Sequence, residues 1–245
     1  MTGTPATPAT PAAGPAVTLI TGGGTGIGAA TARQLLERGH RVTITGRRRG
    51  RLRELAEELG NPAGLLAVPG DAADYGDVTA AVQASITEFG RLDTVVANAG
   101  YGTFDSLADG EPAGWRHMVL TNVLGPALLI RAALPALRQT HGRIVLVGSV
   151  AGTIYTAGNI YGATKWAVTG MAENTRRMVT GDGVGVTLIN PGAVATSFYD
   201  GDGGLPDRPM LTAGQVAAAI VWAISQPAGV DVNTLTIRPV GAPIA

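Results

Sequence analysis

The sequence predicts a single α/β domain, a doubly wound parallel sheet of about seven strands with helices on both faces. Short runs rich in β-branched residues alternate along the chain with longer helical segments, a pattern typical of βαβ units. A cluster of glycines joins the first predicted strand to the first predicted helix. Polar or glycine-rich clusters also follow several of the later strands, where ligands of open α/β sheets bind.

The individual elements follow from hydrophobic periodicity and from glycine and proline positions. Predicted strands cover residues 17–21, 42–45, 65–68, 92–97, 143–148, 184–189 and 234–237. Predicted helices cover residues 29–36, 51–59, 74–89, 112–138, 160–180 and 213–225. Pro126 and Pro135 predict a kink and an early end within the fourth of these helices.

No repeat or domain boundary is visible between residues 16 and 245, so this range is predicted to be one domain. Residues 1–15 contain mainly proline, alanine and threonine. Such a segment has almost nothing to bury, which predicts a disordered tail. The tail lacks the basic start and continuous apolar core of a secretion signal.

Composition argues against several classes of function. The 18 basic and 18 acidic residues balance to a formal charge of zero, so neither nucleic acid nor a membrane surface is predicted as a partner. Cysteine is absent and the three histidines are scattered, which argues against thiol catalysis and a metal site. The chain also lacks a run of 18 apolar residues, and a cytoplasmic location is expected.

The glycine cluster is the first candidate ligand site. A strand that turns through glycines into a helix brings free backbone N–H groups towards a phosphate, with no side chain in the way. The same pattern also occurs in connections that bind nothing. The predicted dinucleotide-binding residues of this segment are Gly22, Gly24, Thr25, Gly26, Ile27 and Gly28.

Two arginines predict which dinucleotide is bound. At the end of the second strand, an acidic residue selects a free ribose 2′-hydroxyl, whereas arginine accommodates a 2′-phosphate. Here Gly46 takes the acidic position and is followed by Arg47 and Arg48. The sequence therefore predicts NADP(H) as the cofactor. The alternative is that these arginines only form the solvated start of a helix.

A second constellation suggests proton transfer. Tyr161 and Lys165 are one helical turn apart, and Ser149 ends the strand that precedes their helix. A nearby ammonium group favours the phenolate, so Tyr161 could act as an acid or base near neutral pH. Alone, such a pair is more often a surface pair and such a serine a cap. The neighbouring glycine turn favours the catalytic interpretation.

Taken together, these motifs resemble the short-chain dehydrogenase/reductase family over residues 17–237, in order and in spacing. The resemblance implies a Rossmann-type fold and four catalytic residues: Asn122, Ser149, Tyr161 and Lys165. Lys165 would hold the nicotinamide ribose and lower the pKa of Tyr161, and Asn122 would hold a water in the proton relay. The further cofactor-binding positions that it implies are Asp71, Ala72, Asn98, Ala99, Gly100, Pro191, Gly192, Val194 and Thr196, together with Tyr161 and Lys165. The family often has two asparagines where this chain has Ala97 and Asn98.

The resemblance also indicates where a small-molecule substrate would lie. Its wall would be aromatic and neutral except for Arg208, and would comprise Tyr101, Phe104, Val150, Ile154, Tyr155, Asn159, Phe198 and Tyr199. Such a wall predicts a small to medium carbonyl compound or alcohol. The Arg47 region and the C-terminal strand are similar to the branch of NADP-dependent 3-hydroxy acid and serine dehydrogenases.

Other functions stay open at this point. A reductase of a natural-product intermediate would use the same residues on a ketone, aldehyde, imine or hemiaminal. A lyase or epimerase would need the cofactor without a net change in its redox state. A regulator that senses NADP(H) without turnover would not need the Tyr161 and Lys165 pair. Related enzymes associate through their long helices, which implies a homotetramer or a dimer.

Overall fold

The computed structural model describes residues 14–103, 105–200 and 204–242. Its main sheet contains seven parallel strands in the order β3-β2-β1-β4-β5-β6-β9, which confirms the predicted fold class. The strand bounds are β1 Val17–Thr21, β2 Arg41–Gly46, β3 Leu65–Pro69, β4 Thr94–Ala97, β5 Arg143–Val147, β6 Gly185–Pro191, β7 Val194–Ala195, β8 Leu211–Thr212 and β9 Thr234–Ile237. Most of the predicted tail, residues 1–13, and Phe104 of the predicted substrate wall lie outside the described residues.

Seven α-helices accompany the strands in the described part of the chain. Their bounds are α1 Gly26–Glu37, α2 Arg49–Glu58, α3 Tyr75–Phe89, α4 Pro112–Val119, α5 Gly125–Thr140, α6 Ile160–Val179 and α7 Ala213–Ile224. Buried residues of α3, α5 and α6 form a core on one face of the sheet. Those of α1, α2 and α7 form a second core on the other face.

The order of the sheet determines where a ligand can enter. The chain proceeds outwards from β1 to β2 and β3, then returns to place β4 on the other side of β1. This reversal leaves a crevice beyond the carboxyl ends of β1 and β4. The loops that follow these strands are therefore brought to one edge of the sheet.

The long fourth predicted helix differs from the prediction. It does not end early: α4 is followed by a π-helical turn at Leu120–Leu124, and α5 continues to Thr140. Pro126 comes directly after this π-helical turn, where the regular α-helical hydrogen bonding is already interrupted and a residue without an N–H can be accommodated. Pro135 is exposed, and the residues on either side of it in sequence bury their side chains in the core, which holds the helix together across the proline.

The continuous helical run Pro112–Thr140 is also long and apolar enough to cross a membrane, by length and composition alone. Its apolar face, however, is part of a core: Leu129, Ala133 and Leu137 are at most 1% exposed and pack in the cluster beneath the sheet. Packing against the sheet therefore accounts for the apolar composition of this helix.

Smaller differences concern element ends. The first helix begins at Gly26 rather than Ala29, because the last glycines of the turn already have helical hydrogen bonding. The fourth strand begins at Thr94 rather than at residue 92. Just before it, the Asp93 carboxylate accepts a hydrogen bond from the Val17 N–H. The short pair β7 and β8 was not predicted. β7 follows β6 directly, and its pairing with β8 joins the two ends of the loop that borders the crevice.

Candidate active site

One large cleft opens at the carboxyl edge of the sheet, with a volume of about 630 Å³. Nearly all of the predicted site residues line it. From the cofactor set these are Gly22, Gly24, Thr25, Gly26, Ile27, Arg47, Arg48, Asp71, Ala72, Asn98, Ala99, Gly100, Tyr161, Lys165, Pro191, Gly192, Val194 and Thr196. Gly28 and Asn122 lie behind its wall.

The glycine turn ends in a helix start that suits an anion. Gly22 has a φ of 64° and Gly26 a φ of 54°, a conformation that favours glycine. Thr25 caps α1 without a side-chain hydrogen bond, and the first turn of α1 has no acidic residue. The first N–H groups of α1 are thus free of side-chain acceptors at the cleft, and a diphosphate fits there.

Gly28 has a packing position beneath this turn. A methyl group on Gly28 would lie 2.3 Å from the Gly22 carbonyl oxygen and 2.7 Å from Asn98 Nδ2. Its missing side chain therefore lets α1 approach the end of β1. The position supports the cleft from below and does not itself face a ligand.

We expect Gly28→Ala to destabilise the protein by about 2 kcal/mol or more, because the clash is with backbone that cannot move aside. Gly170→Ala is the matched control. Gly170 lies in α6 with nothing within 4 Å of an added methyl group, so this change should raise stability slightly. Thermal unfolding of both variants measures the difference, and similar melting temperatures would contradict the packing argument.

Asn98 ties the ends of β1 and β4 together. Its Nδ2 donates to the carbonyl oxygens of Thr21 and Gly22, at 3.0 and 3.1 Å. Thr21 Oγ1 in turn accepts from the backbone N–H groups of Asn98 and Ala99, both at 3.1 Å. Asn98 was predicted as a site residue, whereas Thr21 was not. Thr21 is the last residue of β1, beside β4, and this position could have predicted its contact with Asn98.

The arginines lie at the far end of the cleft from Tyr161. Arg47 and Arg48 follow β2, are exposed, and form no ion pair within the described residues. Asp71, which follows β3, lines the same cleft. Its Oδ1 accepts from the Ala73 N–H at 3.0 Å, which fixes the loop. Two unpaired guanidinium groups at a helix start fit a ribose phosphate.

Ser149 and Tyr161 meet on the other side of the cleft. Ser149 follows β5, and its side chain lies close enough to the Tyr161 hydroxyl to lower the pKa of that phenol. Its Oγ also accepts from the Ala151 N–H at 3.1 Å, so the serine is both a cap and a site residue. Asn159 caps α6 by accepting from the Gly162 N–H at 2.6 Å. This cap sets the start of the helix on which Tyr161 lies.

Lys165 lies one turn further along α6 and is almost completely buried. Its Nζ donates to the Val147 carbonyl oxygen at 2.9 Å and lies 5.7 Å from the centre of the Tyr161 ring. Burial lowers the pKa of Lys165 to about 8. The predicted juxtaposition of serine, phenol and amine is therefore present in the fold.

The predicted depression of the Tyr161 pKa is not found in the structure. Burial raises the pKa of Tyr161 to about 12, an effect that exceeds the lowering caused by Ser149. The nearby Tyr199 raises this pKa further. The amine of Lys165 is itself desolvated, and its first partner is a carbonyl oxygen. The phenol consequently carries its proton at neutral pH.

Asn122 lies in the π-helical turn and uses its carboxamide within the protein. Nδ2 donates to the Tyr101 carbonyl oxygen at 2.8 Å and to Thr164 Oγ1 at 3.1 Å, while Oδ1 accepts from the Tyr101 N–H at 3.1 Å. Both amide hydrogens are thus occupied. The side chain fastens the loop after β4 to α6, so a predicted water would have to bind the second lone pair of Oδ1 or the backbone of this turn.

The predicted substrate wall is largely assembled. Tyr101, Val150, Ile154, Asn159, Phe198, Tyr199 and Arg208 all line the cleft. Phe198 packs edge-on against both Tyr161 and Tyr199, with ring centres 5.6 and 5.3 Å apart. Tyr155 does not belong to the wall: it is 92% exposed and stacks on Trp166 at 5.3 Å.

Comparisons with known proteins agree with this arrangement. The short chain dehydrogenase family profile matches residues 16–202. An uncharacterized oxidoreductase of Staphylococcus epidermidis is 36% identical over 226 residues, which cover 91% of this chain and 97% of the relative.

Among solved structures, serine dehydrogenase in a closed form with NADP+ has a TM-score of 0.87 at 33% identity, covering 94% of this chain and 97% of its own. Serine dehydrogenase from Escherichia coli has a TM-score of 0.82 at 32% identity, covering 93% and 100%. Alcohol dehydrogenase from Thermococcus sibiricus, complexed with 5-hydroxy-NADP, has a TM-score of 0.87 at 28% identity, covering 95% and 100%.

The fold and the cleft define a dinucleotide-binding oxidoreductase. The chain belongs to the short-chain dehydrogenase/reductase family.

Proposed function

We propose that the protein is an NADP(H)-dependent oxidoreductase that interconverts a carbonyl group and an alcohol. The observation that carries this proposal is the juxtaposition of Ser149 and Tyr161, with Lys165 buried beside them, in the same cleft as the free start of α1. A sensor without turnover would have no need to bury an amine beside a phenol.

The residues present fit the cofactor. The start of α1 would hold the diphosphate, Arg47 and Arg48 the 2′-phosphate, and Asp71 the adenine. Lys165 would hold the nicotinamide ribose, while Val194 and Thr196 would face the carboxamide. When bound, the nicotinamide supplies or accepts the hydride.

Side chains of the protein would supply the proton that the substrate oxygen needs during reduction. Ser149 Oγ would hold the substrate oxygen beside the Tyr161 hydroxyl, and Tyr161 would donate its proton to that oxygen during reduction. The ammonium group of Lys165 would stabilise the resulting phenolate. Because Tyr161 is protonated at neutral pH in the free protein, reduction needs no prior proton uptake by the phenol.

Cofactor preference gives a direct prediction. Arg47→Ala is expected to weaken NADPH binding by about tenfold or more, because a charge-assisted contact to the phosphate is lost. NADH binding should change by less than twofold. Quenching of protein fluorescence measures both dissociation constants. Arg49→Ala is the control, since Arg49 begins α2 and does not line the cleft. Equal losses for the two cofactors would mean that Arg47 does not contact the phosphate.

Arg208 supports an acid as substrate, in line with the 3-hydroxy acid branch. Its Nη2 lies 3.5 Å from the Tyr199 hydroxyl, which Arg208 donates to. Tyr199 acts electrostatically on Tyr161, so this cation is on the substrate side of the cleft. Asp71 is the only acid among the described lining residues, and it follows β3, at the opposite edge of the main sheet from β6 and β9. A substrate carboxylate would therefore meet a cation and a phenol.

Matched compounds test this substrate class. NADPH consumption is followed by absorbance with 3-oxobutanoate and its methyl ester, which differ in charge, and with larger neutral ketones and aldehydes. We expect Arg208→Gln to lower the ratio of kcat/KM for the acid to that for the ester by about tenfold. Arg53→Gln, on the outer face of α2, should preserve the ratio. Turnover of the larger neutral compounds alone would instead favour a reductase of a biosynthetic intermediate.

Self-association is proposed through exposed apolar side chains on the long helices. Val119, Leu124, Trp166 and Met178 are 38–54% exposed on α4, the π-helical turn and α6. These long helices would pair with those of a second copy, and a homotetramer is the proposed assembly. Light scattering of the purified protein measures its mass, and a monomer at micromolar concentration would contradict the proposal.

A further inference from the structure

Asn190 is a buried polar residue to which the proposed reaction assigns no task. It lies near the end of β6 and is completely inaccessible to solvent. Its Oδ1 accepts from the Ser149 N–H at 3.2 Å, across 41 residues of sequence. The backbone N–H of Ser149 requires an acceptor, so the orientation of the carboxamide is fixed by its partner.

The surroundings of Asn190 are shaped for this contact. A methyl group on Gly148 would lie 2.3 Å from Asn190 Oδ1, so the carboxamide occupies the space that a side chain at position 148 would fill. Gly148 also donates its N–H to the Ile189 carbonyl oxygen at 2.8 Å. The Ile189 carbonyl and the Asn190 side chain, both on β6, therefore hold the backbone of Gly148 and Ser149.

The amide nitrogen of Asn190, in contrast, lowers the stability of the fold. Asn190 Nδ2 is buried and has no hydrogen-bond partner within the described residues. An unsatisfied buried donor costs roughly 1–3 kcal/mol. An apolar residue at this position would avoid that cost but would leave the Ser149 N–H without its acceptor, so the bond to Ser149 is what accounts for the asparagine.

We propose that Asn190 is a positioning residue, which holds the backbone of Ser149 so that the serine hydroxyl meets the Tyr161 hydroxyl. The inference rests on the proposed role of Ser149 and Tyr161 in proton transfer. Asn190 acts through Ser149 alone and lies outside the cleft lining.

A double-mutant cycle separates this role from a general structural one. Asn190→Ala should lower kcat by about tenfold or more, because a small misplacement of a reacting group is enough for such a loss. In the Ser149→Ala background, the same change should lower kcat by less than twofold. The dissociation constant for NADPH should stay within about threefold throughout. Full multiplicative losses in both backgrounds would overturn the proposal.

Asn190→Asp is the matched rescue. It retains an oxygen that accepts from Ser149 and replaces Nδ2, which has no partner within the described residues, by a second oxygen. Burial favours the protonated, neutral form of this carboxyl group, which has the shape of the original carboxamide. A kcat within about threefold of the unchanged protein supports the proposal, and a tenfold loss overturns it. This variant decides the question if Asn190→Ala fails to fold.

Amide hydrogen exchange tests the contact without turnover. Protection of the Ser149 N–H should fall at least tenfold in Asn190→Ala and persist in Asn190→Asp. If the unchanged protein reduces no carbonyl compound, the proposed function fails, and exchange alone decides the positioning role. Equal protection in all three proteins would overturn the proposal.

Discussion

Replacing Tyr161 by phenylalanine is expected to lower kcat by about a thousandfold, because the group that gives the substrate oxygen its proton is removed. The ring is retained, and with it the edge-on contact to Phe198 at 5.6 Å. The fold and the binding of NADPH should therefore persist, with a dissociation constant within about threefold. Single-turnover kinetics with NADPH and a reducible ketone measure the chemical step directly.

Tyr155→Phe is the matched control, since Tyr155 is 92% exposed and stacks on Trp166 outside the cleft. Its activity should equal that of the unchanged protein. The pKa of Tyr161, raised to about 12 by burial, keeps the phenol protonated across the neutral range. The titration of Tyr161 in the free protein should therefore not limit kcat/KM for reduction between pH 6 and 8. Retained activity in Tyr161→Phe would remove this residue from the acid role.

Much of the fold could be predicted because it depends on local pattern. The alternation of β-branched runs and helical segments predicts a parallel sheet without knowledge of any contact. The effect of Pro135 on α5 could not be predicted from local pattern. Its lack of an N–H predicts a helix end, but the burial of Leu129 and Leu137 on either side holds α5 together to Thr140. That burial depends on tertiary packing, which periodicity does not weigh against a single proline.

The same division applies to the site. Ser149, Tyr161 and Lys165 could be identified because their spacing places them at one strand end and on one helix face. Thr21 and Asn190 were not predicted, since each acts across a neighbouring strand, on residues 77 and 41 positions away in sequence. The predicted direction of the Tyr161 pKa shift differs from the one in the structure for a related reason. It depends on how much water reaches the phenol, which the spacing of Tyr161 and Lys165 does not reveal.

Lys165→Met is expected to change activity and stability in opposite directions. Loss of the ammonium group beside Tyr161 should lower kcat by about a hundredfold, since the developing phenolate loses its counter-charge. Stability at pH 7 should rise instead. A pKa of about 8 in the folded protein against 10.5 in the unfolded chain corresponds to a cost of about 3 kcal/mol for the buried charge. The lost hydrogen bond to Val147 returns about 1 kcal/mol of this.

The pH dependence has a definite sign. Below pH 8 Lys165 is protonated in both the folded and the unfolded state, and the folded state bears the full free-energy cost of the buried charge. Between pH 8 and 10.5 the folded state loses the proton first, so the stability of the unchanged protein rises with pH towards that of Lys165→Met. Urea unfolding at pH 7 and pH 10 measures this convergence.

A second measurement reads the amine itself. Lys165 is the only lysine of the sequence, so a protein labelled with ¹⁵N-lysine gives one side-chain nitrogen signal in NMR. Its titration midpoint should lie near pH 8 in the free protein. A midpoint near 10.5 would mean that water reaches the amine. In that case burial beside Val147 would not lower the pKa of Lys165. The sensitivity of the Lys165 charge to a phenolate at Tyr161 could then not be attributed to that burial.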